Sequence, residues 1–482
     1  MNSRGAMHHW LSCPGQFCPT PQDQRRRPLG YLSSPFQVRS LNLLSLAILL
    51  LDQIISTILI SCPSSSSYML IKDVSLLQAG QLIKGRDILI EGNRITKIGR
   101  GLKDEDKEEP IDGRGKLAIA GLVNSHTHLA MTLLRGYADD MLLKPWLEEK
   151  IWPLEARLTP EDVYWGAKLG CLELIRFGIT CFNDMYFFMD ETARATKEMG
   201  LRAFLAPVVF DMRPELLAGT EPFLKRWQGD ELIRPAVGPH AAYTCSEETL
   251  LQARDLAERY NTLIHIHLCE TKEEVDGFTL TKGKSPVEYL DGLNMLNPRL
   301  VAVHCVWLSQ EDAHLLATRG GNVADCTVSN LKLCSGIAPL NYLLDAGVNV
   351  CLGTDGPSSN NNLNLFEEMK VTAIVQKNAY NSPAAFSAEQ VWRIATEGAY
   401  KTFGLDMGLH EGALADLALI DLRKPWLCPQ SNLVSHLVYS MTGEVNTTIV
   451  NGKVLMRDGF IPGEAEILEK AQERFLRLTS SD

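Results

Sequence analysis

The 482-residue sequence lacks an excess of positive charge, a regular cysteine spacing and any low-complexity or collagen-like repeat. Its 47 Lys and Arg residues are outnumbered by 58 Asp and Glu residues, and the resulting net charge of −11 argues against a broad nucleic-acid surface. The 12 cysteines lie mostly in apolar runs, so we expect reduced, buried thiols and a cytoplasmic protein rather than a disulfide framework. With 45% hydrophobic residues the chain can bury a large core, and an acidic enzyme is the first expectation.

The first 68 residues differ from the rest because they contain neither lysine nor glutamate. Five arginines against two aspartates give this segment a net charge of +3, so the chain's −11 becomes −14 for the remainder. Residues 41–60 form a mainly apolar run that is nominally long enough to span a bilayer. Asp52 lies in the middle of this run, where a charge costs about 2.5–3.5 kcal/mol on insertion.

Three interpretations of residues 1–68 stay open. The segment is a membrane anchor or atypical targeting signal, a buried or interfacial helix, or an upstream extension that the enzyme does not need. We favour the extension, because Met69 is a natural start at the head of the strand-like run 69–74 and the segment carries no recognisable enzyme feature. The apolar run also begins too far from the N-terminus for an ordinary signal peptide, and we do not expect a membrane protein.

Short β-like runs at both ends of the remaining chain predict a small β-sandwich. Residues 88–91 and 94–98 flank a turn at Glu91-Gly92-Asn93, and the runs 415–421 and 447–454 repeat this pattern near the other end. We therefore expect segments 69–120 and 408–482 to pair with each other and to flank a central domain of residues 121–407.

The central domain alternates apolar β-rich runs with helical segments, which is typical of βα units around a parallel sheet. Helix starts are indicated by N-cap patterns at Thr159-Pro160, Ser246-Glu247 and Ser309-Gln310. Eight such units predict an α/β fold of the (β/α)8 TIM-barrel type. The predicted strands are one that ends near Val123, followed by 179–183, 201–209, 235–239, 262–268, 300–306, 322–328 and 349–353.

Polar residues concentrate at the carboxyl ends of these strands, the face at which a TIM barrel carries its active site. Five of the nine histidines that follow residue 68 occupy such positions, namely His126, His128, His240, His267 and His304. His126 and His128 are two residues apart, so on a strand both side chains point to one face and can bind one metal ion. With His267 and Asp355 from later strands, they predict a site for Zn²⁺ or a similar divalent ion.

An acidic residue follows one of these histidines at a spacing suited to proton transfer. Glu270 comes three residues after His267, where it can exchange a proton with a metal-activated water or with the substrate. A solvated acid at the rim of the barrel is the alternative. His265 shares a face with His267 and could be the ligand instead, but it lies deeper along the strand and we interpret it as a barrel-interior histidine. No role is assigned to His314, His410 or His436.

Several motifs of the central domain carry a family resemblance. They are 121–128 (GLVNSHTH), 134–136 (LRG), 238–246 (GPHAAYTCS), 267–271 (HLCET), 329–333 (SNLKL), 353–356 (GTDG) and 359–369 (SNNNLNLFEEM). These motifs resemble the amidohydrolase superfamily and, within it, the 5'-methylthioadenosine/S-adenosylhomocysteine deaminases most of all. The resemblance covers the 414 residues from Met69 onward and none of the preceding segment.

The resemblance implies a role for each matching residue. It implies one zinc ion per subunit, held by His126, His128, His267 and Asp355. Asp355 would also accept the proton of the attacking water, Glu270 would shuttle protons and His304 would orient the water. Glu155 would bind the ribose hydroxyls and His240 would contact the substrate. Without the resemblance, Glu155 would be interpreted as an ordinary loop acid.

Two features that the sequence lacks favour a mononuclear amidohydrolase site, and one difference from the family concerns the residues that contact the substrate. The His-x-Glu and Pro-Cys-x-x-Cys signature of cytidine-deaminase zinc sites is missing. No lysine lies in 201–209, where binuclear relatives often carry a modified lysine, so one metal is favoured. Members of the family have an arginine that contacts the substrate where this chain has Pro207. The identity of the 5' substituent is therefore open, with Arg213 as a candidate to replace that arginine.

Together these features predict a zinc-dependent hydrolytic deaminase. It would convert 5'-methylthioadenosine, S-adenosylhomocysteine or a related 5'-modified adenosine to the inosine analogue and ammonia. The alternatives are an amidohydrolase that acts on a guanine, pterin or triazine ring, or a catalytically inactive assembly protein on the same barrel. The expected partner is a small nucleoside; neither nucleic acid nor a membrane is expected, and a homo-oligomer stays open.

Overall fold

A computed structural model describes residues 68–78, 80–103 and 109–480 of the chain. The interpretations of residues 1–67 lie outside these ranges. The strands are β1 (Tyr68–Gln78), β2 (Gln81–Glu91), β3 (Arg94–Gly99), β4 (Ile111–Asp112), β5 (Lys116–Ala120), β6 (Leu122–Thr127), β7 (Ile179–Tyr186), β8 (Arg202–Val209), β9 (Ile233–Pro235), β10 (Gly238–Pro239), β11 (Ile264–Leu268), β12 (Leu300–His304), β13 (Asn322–Asp325), β14 (Asn349–Leu352), β15 (Leu417–Asp421), β16 (Thr447–Val450) and β17 (Lys453–Met456).

Strands β6 to β14 form a TIM-like α/β barrel in which every strand pair is parallel. One half contains β6, β7, β8 and the short β9 and β10, and the other contains β11 to β14. A bridge between Val237 and Ile264 joins the halves at one seam. At the other seam, the backbone N–H groups of Thr354 and Asp355 both donate to the carbonyl of His126. The eight predicted strands are thus present, with β9 and β10 together in the place of one.

Helices connect the barrel strands and cover the outside of the barrel. The N-cap predictions are confirmed, since Thr159 and Ser309 form capping boxes and the Ser246 side chain accepts from the Thr249 N–H. The α-helices are Leu143–Trp146, Trp152–Glu155, Pro160–Arg176, Met189–Met199, Pro214–Trp227, Glu247–Arg259, Lys272–Lys282, Pro286–Gly292, Gln310–Arg319, Thr327–Lys332, Leu340–Asp345, Leu365–Ala379, Ala388–Arg393, Ala399–Phe403, Leu433–Tyr439 and Glu464–Thr479. Two 3₁₀-helices are Leu129–Leu134 and Pro425–Leu427, and two π-helical segments are Leu147–Ile151 and Ile394–Gly398.

Several predicted strands have the wrong extent. β7 continues to Tyr186 beyond the predicted 179–183, β11 begins at Ile264 rather than at 262, and β12 ends at His304 rather than at 306. Two other runs change their structure part of the way along. The run 322–328 predicts one strand, but β13 ends at Asp325 and the helix Thr327–Lys332 begins two residues later. The run 235–239 is divided into the end of β9 and the two-residue β10. In both places an apolar run continues beyond the strand into a buried loop or helix, which hydrophobicity alone does not distinguish from a strand.

Strands from both ends of the described chain lie in one further sheet, in the order β17-β16-β15-β5-β1-β2-β3, with β4 beside β1. The two ends meet where β15 pairs antiparallel with β5. Buried side chains such as Ile71, Ile88 and Leu417 give this sheet an apolar cluster of its own. The predicted two-layer sandwich and the predicted domain limits stay predictions.

Two further features concern cysteine and membrane helices. The nine cysteines of the described part are free thiols, and all but Cys334 and Cys428 are buried. Among the described residues, no helix has the length and the apolar character needed to cross a bilayer.

Candidate active site

The predicted metal ligands lie together at the carboxyl ends of the barrel strands. Nε2 of His126 is 3.2 Å from Oδ1 of Asp355, and Nε2 of His128 is 3.4 Å from the same oxygen. Donor atoms of His126, His267 and His304 form a second group in which all lie within 4.8 Å of one another. The fold thus brings the four predicted ligands and His304 around one point.

Each predicted histidine ligand is held through its Nδ1 atom. His128 Nδ1 lies 2.6 Å from the carbonyl oxygen of Met185, and His267 Nδ1 lies 2.8 Å from that of His240. A carbonyl only accepts, so both rings carry their proton on Nδ1 and leave Nε2 free. His126 Nδ1 lies 2.8 Å from Nε2 of His265. Anchoring of the far nitrogen is the usual arrangement around metal-binding histidines.

The donor set fits a divalent metal ion. Zinc–nitrogen and zinc–oxygen bonds of about 2.0–2.1 Å in a tetrahedron separate neighbouring ligand atoms by about 3.3 Å, close to the two distances found. Nε2 of His126 is buried and has no hydrogen-bond partner among the described residues. Burial lowers the pKa of His126 to about 3, so the ring is neutral near pH 7, as a metal ligand must be.

Asp355 is fixed from several sides. Its Oδ1 accepts from the Gly356 N–H, while Oδ2 accepts from the hydroxyls of Ser329 at 2.6 Å and Ser359 at 2.8 Å. Burial alone would raise the pKa of Asp355, but the imidazoles of His126 and His128 outweigh it and hold the pKa well below the usual range. Asp355 is therefore a carboxylate whose Oδ1 faces the histidines.

The end of β14 passes unusually close to the strand that carries two of the ligands. A Cβ atom on Gly353 would lie 2.6 Å from the backbone nitrogen of His126, so only glycine fits there. Asp355 follows with φ of 60°, in the left-handed region, which costs energy for a residue other than glycine. Close packing thus places Asp355 against His126 despite local strain.

Glu270 is buried beside this group. Its Oε2 lies 3.7 Å from Nε2 of His304, and its Oε1 accepts from the Ser335 hydroxyl at 3.4 Å. Burial raises the pKa of Glu270, so the carboxyl holds a proton more readily than a free glutamate does. The carboxylate of Glu274 accepts from the backbone N–H groups of Glu270 and Cys269, which fixes this part of the chain. The alternative of a solvated rim acid is therefore wrong.

His304 is also buried, with φ of 71°. Its Nδ1 lies 2.8 Å from Oδ1 of Asn330. Burial lowers its pKa, but the carboxylates of Glu270 and Asp355 and the contact with Asn330 outweigh burial and raise it. His304 thus lies in a negatively charged environment, with its Nε2 3.7 Å from the Glu270 carboxyl.

The predicted substrate-binding residues line one cavity together with His304 and three of the predicted metal ligands, His126 not being part of the lining. This cavity is bounded by His128, Glu155, Arg213, His240, His267, Glu270, His304 and Asp355. Burial raises the pKa of Glu155 to about 7. His240 Nδ1 lies 3.0 Å from the hydroxyl of Thr244, and burial lowers the pKa of His240 to about 4. The apolar wall consists mainly of Leu143, Trp146, Leu147, Trp152, Phe187, Phe210 and Met212.

Arg213 occupies the edge of this cavity and already has partners. Its Nε donates to Glu215 at 2.9 Å, and its guanidinium lies 5.4 Å from the centre of the Phe187 ring. Pro207 is part of β8, where it pairs with Tyr186. Neither residue presents an unpaired cation to the cavity.

Sequence reasoning missed the residues that hold the site residues in place. Ser329 and Asn330 fall in a motif that carried the resemblance, but the motif alone assigns them no role. The contact of His265 with His126 was also missed, although His265 does lie in the barrel interior. In the sequence, only a hydroxyl or amide side chain directly after a predicted strand end could have indicated that residues such as Ser329 and Asn330 support the site.

The chain belongs to the Amidohydrolase family, whose pattern it matches over residues 117–455. Within that family it is 64% identical to a 5'-deoxyadenosine deaminase of Methanothrix thermoacetophila, over 86% of this chain and 100% of the relative. It is 44% identical to a 5-methylthioadenosine/S-adenosylhomocysteine deaminase of Pelotomaculum thermopropionicum, over 82% of this chain and 94% of the relative. The predicted family resemblance is confirmed.

Solved structures agree with this assignment. An adenosine deaminase from Xanthomonas campestris with bound zinc superposes with a TM-score of 0.81 at 32% identity, covering 86% of this chain and 99% of the other. A triazine hydrolase from Arthrobacter aurescens gives a TM-score of 0.80 at 23% identity over 85% of this chain and 99% of the other, which shows a shared fold only.

Proposed function

We propose that the protein is a zinc-dependent hydrolytic deaminase of adenine nucleosides, which releases ammonia and the inosine analogue. The observation that carries this proposal is one cavity that brings together three of the predicted metal ligands (His128, His267 and Asp355), the buried Glu270 and the carboxyl of Glu155. Relatives at 64% and 44% identity named as deaminases of such nucleosides support it.

In this proposal, His126, His128, His267 and Asp355 hold one zinc ion. The metal, when bound, supplies an attacking water of lowered pKa. His304 orients this water through Nε2, and Asp355 accepts a proton from it. Glu270 donates a proton to the ring nitrogen next to the carbon that carries the amine. The carbon–oxygen bond forms, Asp355 passes the water's proton to the amine, and the carbon–nitrogen bond breaks to release ammonia. The proton of the new hydroxyl returns to Glu270, and the ring nitrogen keeps the proton that Glu270 donated.

Glu155 and His240 orient the substrate. Glu155 accepts hydrogen bonds from the ribose hydroxyls once its carboxyl is ionised. The Thr244 hydroxyl donates to the Ala241 carbonyl, which leaves its oxygen to accept from His240 Nδ1. His240 then turns an unprotonated Nε2 toward the cavity, where it accepts from a donor of the nucleoside.

We further propose that the 5' group of the preferred substrate is small and uncharged, as in 5'-deoxyadenosine. The cavity wall of Trp152, Phe187, Phe210 and Met212 is apolar, and Arg213 is already paired with Glu215. An amino-acid tail such as that of S-adenosylhomocysteine would leave its carboxylate without a free cation, and an unpaired charge in an apolar site is costly.

The test is a comparison of ammonia release by the zinc-loaded protein. We expect the highest kcat/KM with 5'-deoxyadenosine, followed by 5'-methylthioadenosine, and the lowest with S-adenosylhomocysteine. Guanine, a pterin and a triazine serve as the alternative substrates. Turnover of one of these rings and of no 5'-modified adenosine would refute the proposal, and a protein that neither binds metal nor turns over any substrate would support the assembly-protein alternative.

The remaining architecture is proposed as well. Residues 121–407 would form the catalytic barrel, and 69–120 with 408–482 a β-sandwich, supported by the pairing of β5 with β15. The buried ion pair between Arg202 and Asp416 ties this sheet to the barrel. A cytoplasmic location and a homo-oligomeric state stay predictions.

A further inference from the structure

A buried hydrogen-bond chain leads away from His304 to an acid that no catalytic role involves. His304 Nδ1 lies 2.8 Å from Oδ1 of Asn330, and Nδ2 of Asn330 donates to Oδ1 of Asp325 at 3.0 Å. All three residues are 1% exposed. Asp325 ends β13, and Asn330 lies on the helix that follows this strand.

The direction of this chain is determined by its last member. A carboxylate offers only acceptors, so it takes a donor of the Asn330 amide. The amide oxygen of Asn330 must then face His304, and an oxygen accepts a hydrogen bond only from a nitrogen that carries a proton. His304 Nδ1 is therefore the protonated nitrogen, and in the neutral ring Nε2 carries the lone pair.

A second partner of Asp325, the hydroxyl of Thr327, strengthens this arrangement. Thr327 donates to Oδ2 of Asp325, so both carboxylate oxygens accept from the helix that carries Asn330. The neighbouring residue on this helix, Ser329, donates to Asp355. Two consecutive side chains of one short helix thus hold His304 and Asp355.

We propose that Asp325, acting through Asn330, is a positioning residue that keeps His304 in the tautomer with its proton on Nδ1. This tautomer presents Nε2 to the cavity as an acceptor for the attacking water. With the opposite tautomer, Nε2–H would compete with the water for the Glu270 carboxylate, which lies 3.7 Å away. The inference rests on the proposed deaminase function.

The kinetic test is Asp325→Asn in the full-length, zinc-loaded protein. An amide at 325 can donate or accept, so it no longer determines the orientation of Asn330. We expect kcat with 5'-deoxyadenosine to fall about 10- to 100-fold, as for other outer partners of functional histidines, with KM and zinc content unchanged. Thr372→Val is the matched control, because it removes a buried hydroxyl that contacts Thr327 but lies outside the chain to His304.

The outcomes separate the possibilities. A kcat of Asp325→Asn equal to that of Thr372→Val would overturn the inference, and so would a rise in KM without a fall in kcat.

A second measurement does not depend on either of these two variants folding. In the zinc-loaded wild-type protein with ¹⁵N-labelled histidine, we expect the His304 signals, assigned by their loss in His304→Gln, to show a protonated Nδ1. An unprotonated Nδ1 would overturn the inference. If the wild-type protein turned over no nucleoside, the proposed function would fail while this spectrum still tested the tautomer.

Discussion

Replacement of Glu270 by glutamine tests the proton transfer at the centre of the proposed chemistry. Within the described residues, the carboxyl contacts the Ser335 hydroxyl at 3.4 Å and His304 Nε2 at 3.7 Å, and it is not one of the predicted ligands. Glutamine has nearly the same shape and keeps an oxygen that can accept from Ser335. We therefore expect Glu270→Gln to keep its fold and its metal but to lose the proton donor.

The expected loss is large because proton transfer by a positioned side chain contributes about 10²–10⁴-fold to the rate. At 1.36 kcal/mol for each factor of ten, this is about 2.7–5.5 kcal/mol of lost transition-state stabilisation. The assay is kcat for ammonia release, with zinc content and thermal unfolding measured on the same preparation. Glu273→Gln is the control, since it removes an exposed acid three residues further along the chain and should leave kcat unchanged. Near-normal turnover by Glu270→Gln would refute the assigned role.

Two further predictions concern the metal and the folded state. Loss of a residue that only supports a metal ligand lowers metal affinity about 10- to 100-fold, and His267→Ala should lower zinc affinity by more than this. The measurement is zinc per chain after dialysis, with replacement of the exposed His410 by alanine as a control that should retain its metal. Equal zinc in both variants would exclude His267 as a ligand. Asp87 accepts hydrogen bonds from Lys72 Nζ and from the backbone N–H groups of Asp73 and Leu102, and these partners outweigh burial and lower its pKa. Its carboxylate therefore stabilises the folded state at pH values above the unfolded pKa of about 3.9. This contribution is lost as the pH falls through the lower pKa of the folded state. Asp87→Asn should therefore lower the free energy of unfolding by about 1–3 kcal/mol at pH 7 and by less below pH 4, as followed by urea unfolding; a difference that grew on acidification would contradict the reasoning.

The metal ligands could be predicted from the sequence because position along a strand determines where a side chain points. His126 and His128 are two apart, and the carboxyl end of each barrel strand opens on the same face. The ambiguity between His265 and His267 could not be resolved in this way, since both point inward from β11. The structure separates them by depth, with His265 beside Nδ1 of His126 and His267 at the cavity.

The positioning residues could not be predicted because they depend on where a strand stops. The run 322–328 has the composition of a strand, and if it continued to Val328, Ser329 and Asn330 would point to opposite sides. The chain turns into a helix after Asp325 instead, and both side chains then reach the site. An error of three residues in one strand end is thus enough to hide a hydrogen-bond chain between buried polar groups.

The five histidines at the strand ends share one arrangement of hydrogen bonds. Within the described part of the chain each has its Nδ1 within hydrogen-bond distance of a protein atom, and these partners are His265 Nε2, the Met185 carbonyl, the Thr244 hydroxyl, the His240 carbonyl and the Asn330 amide. Since Nδ1 is occupied in every ring, Nε2 is the nitrogen left for a metal, a water or a substrate. The two carbonyls and the Asn330 oxygen accept only, so they determine the tautomer of their rings without any metal present. The site is therefore organised by the backbone and by one buried acid before a metal or a nucleoside binds, which is why a change at Asp325 is expected to affect turnover and leave metal binding intact.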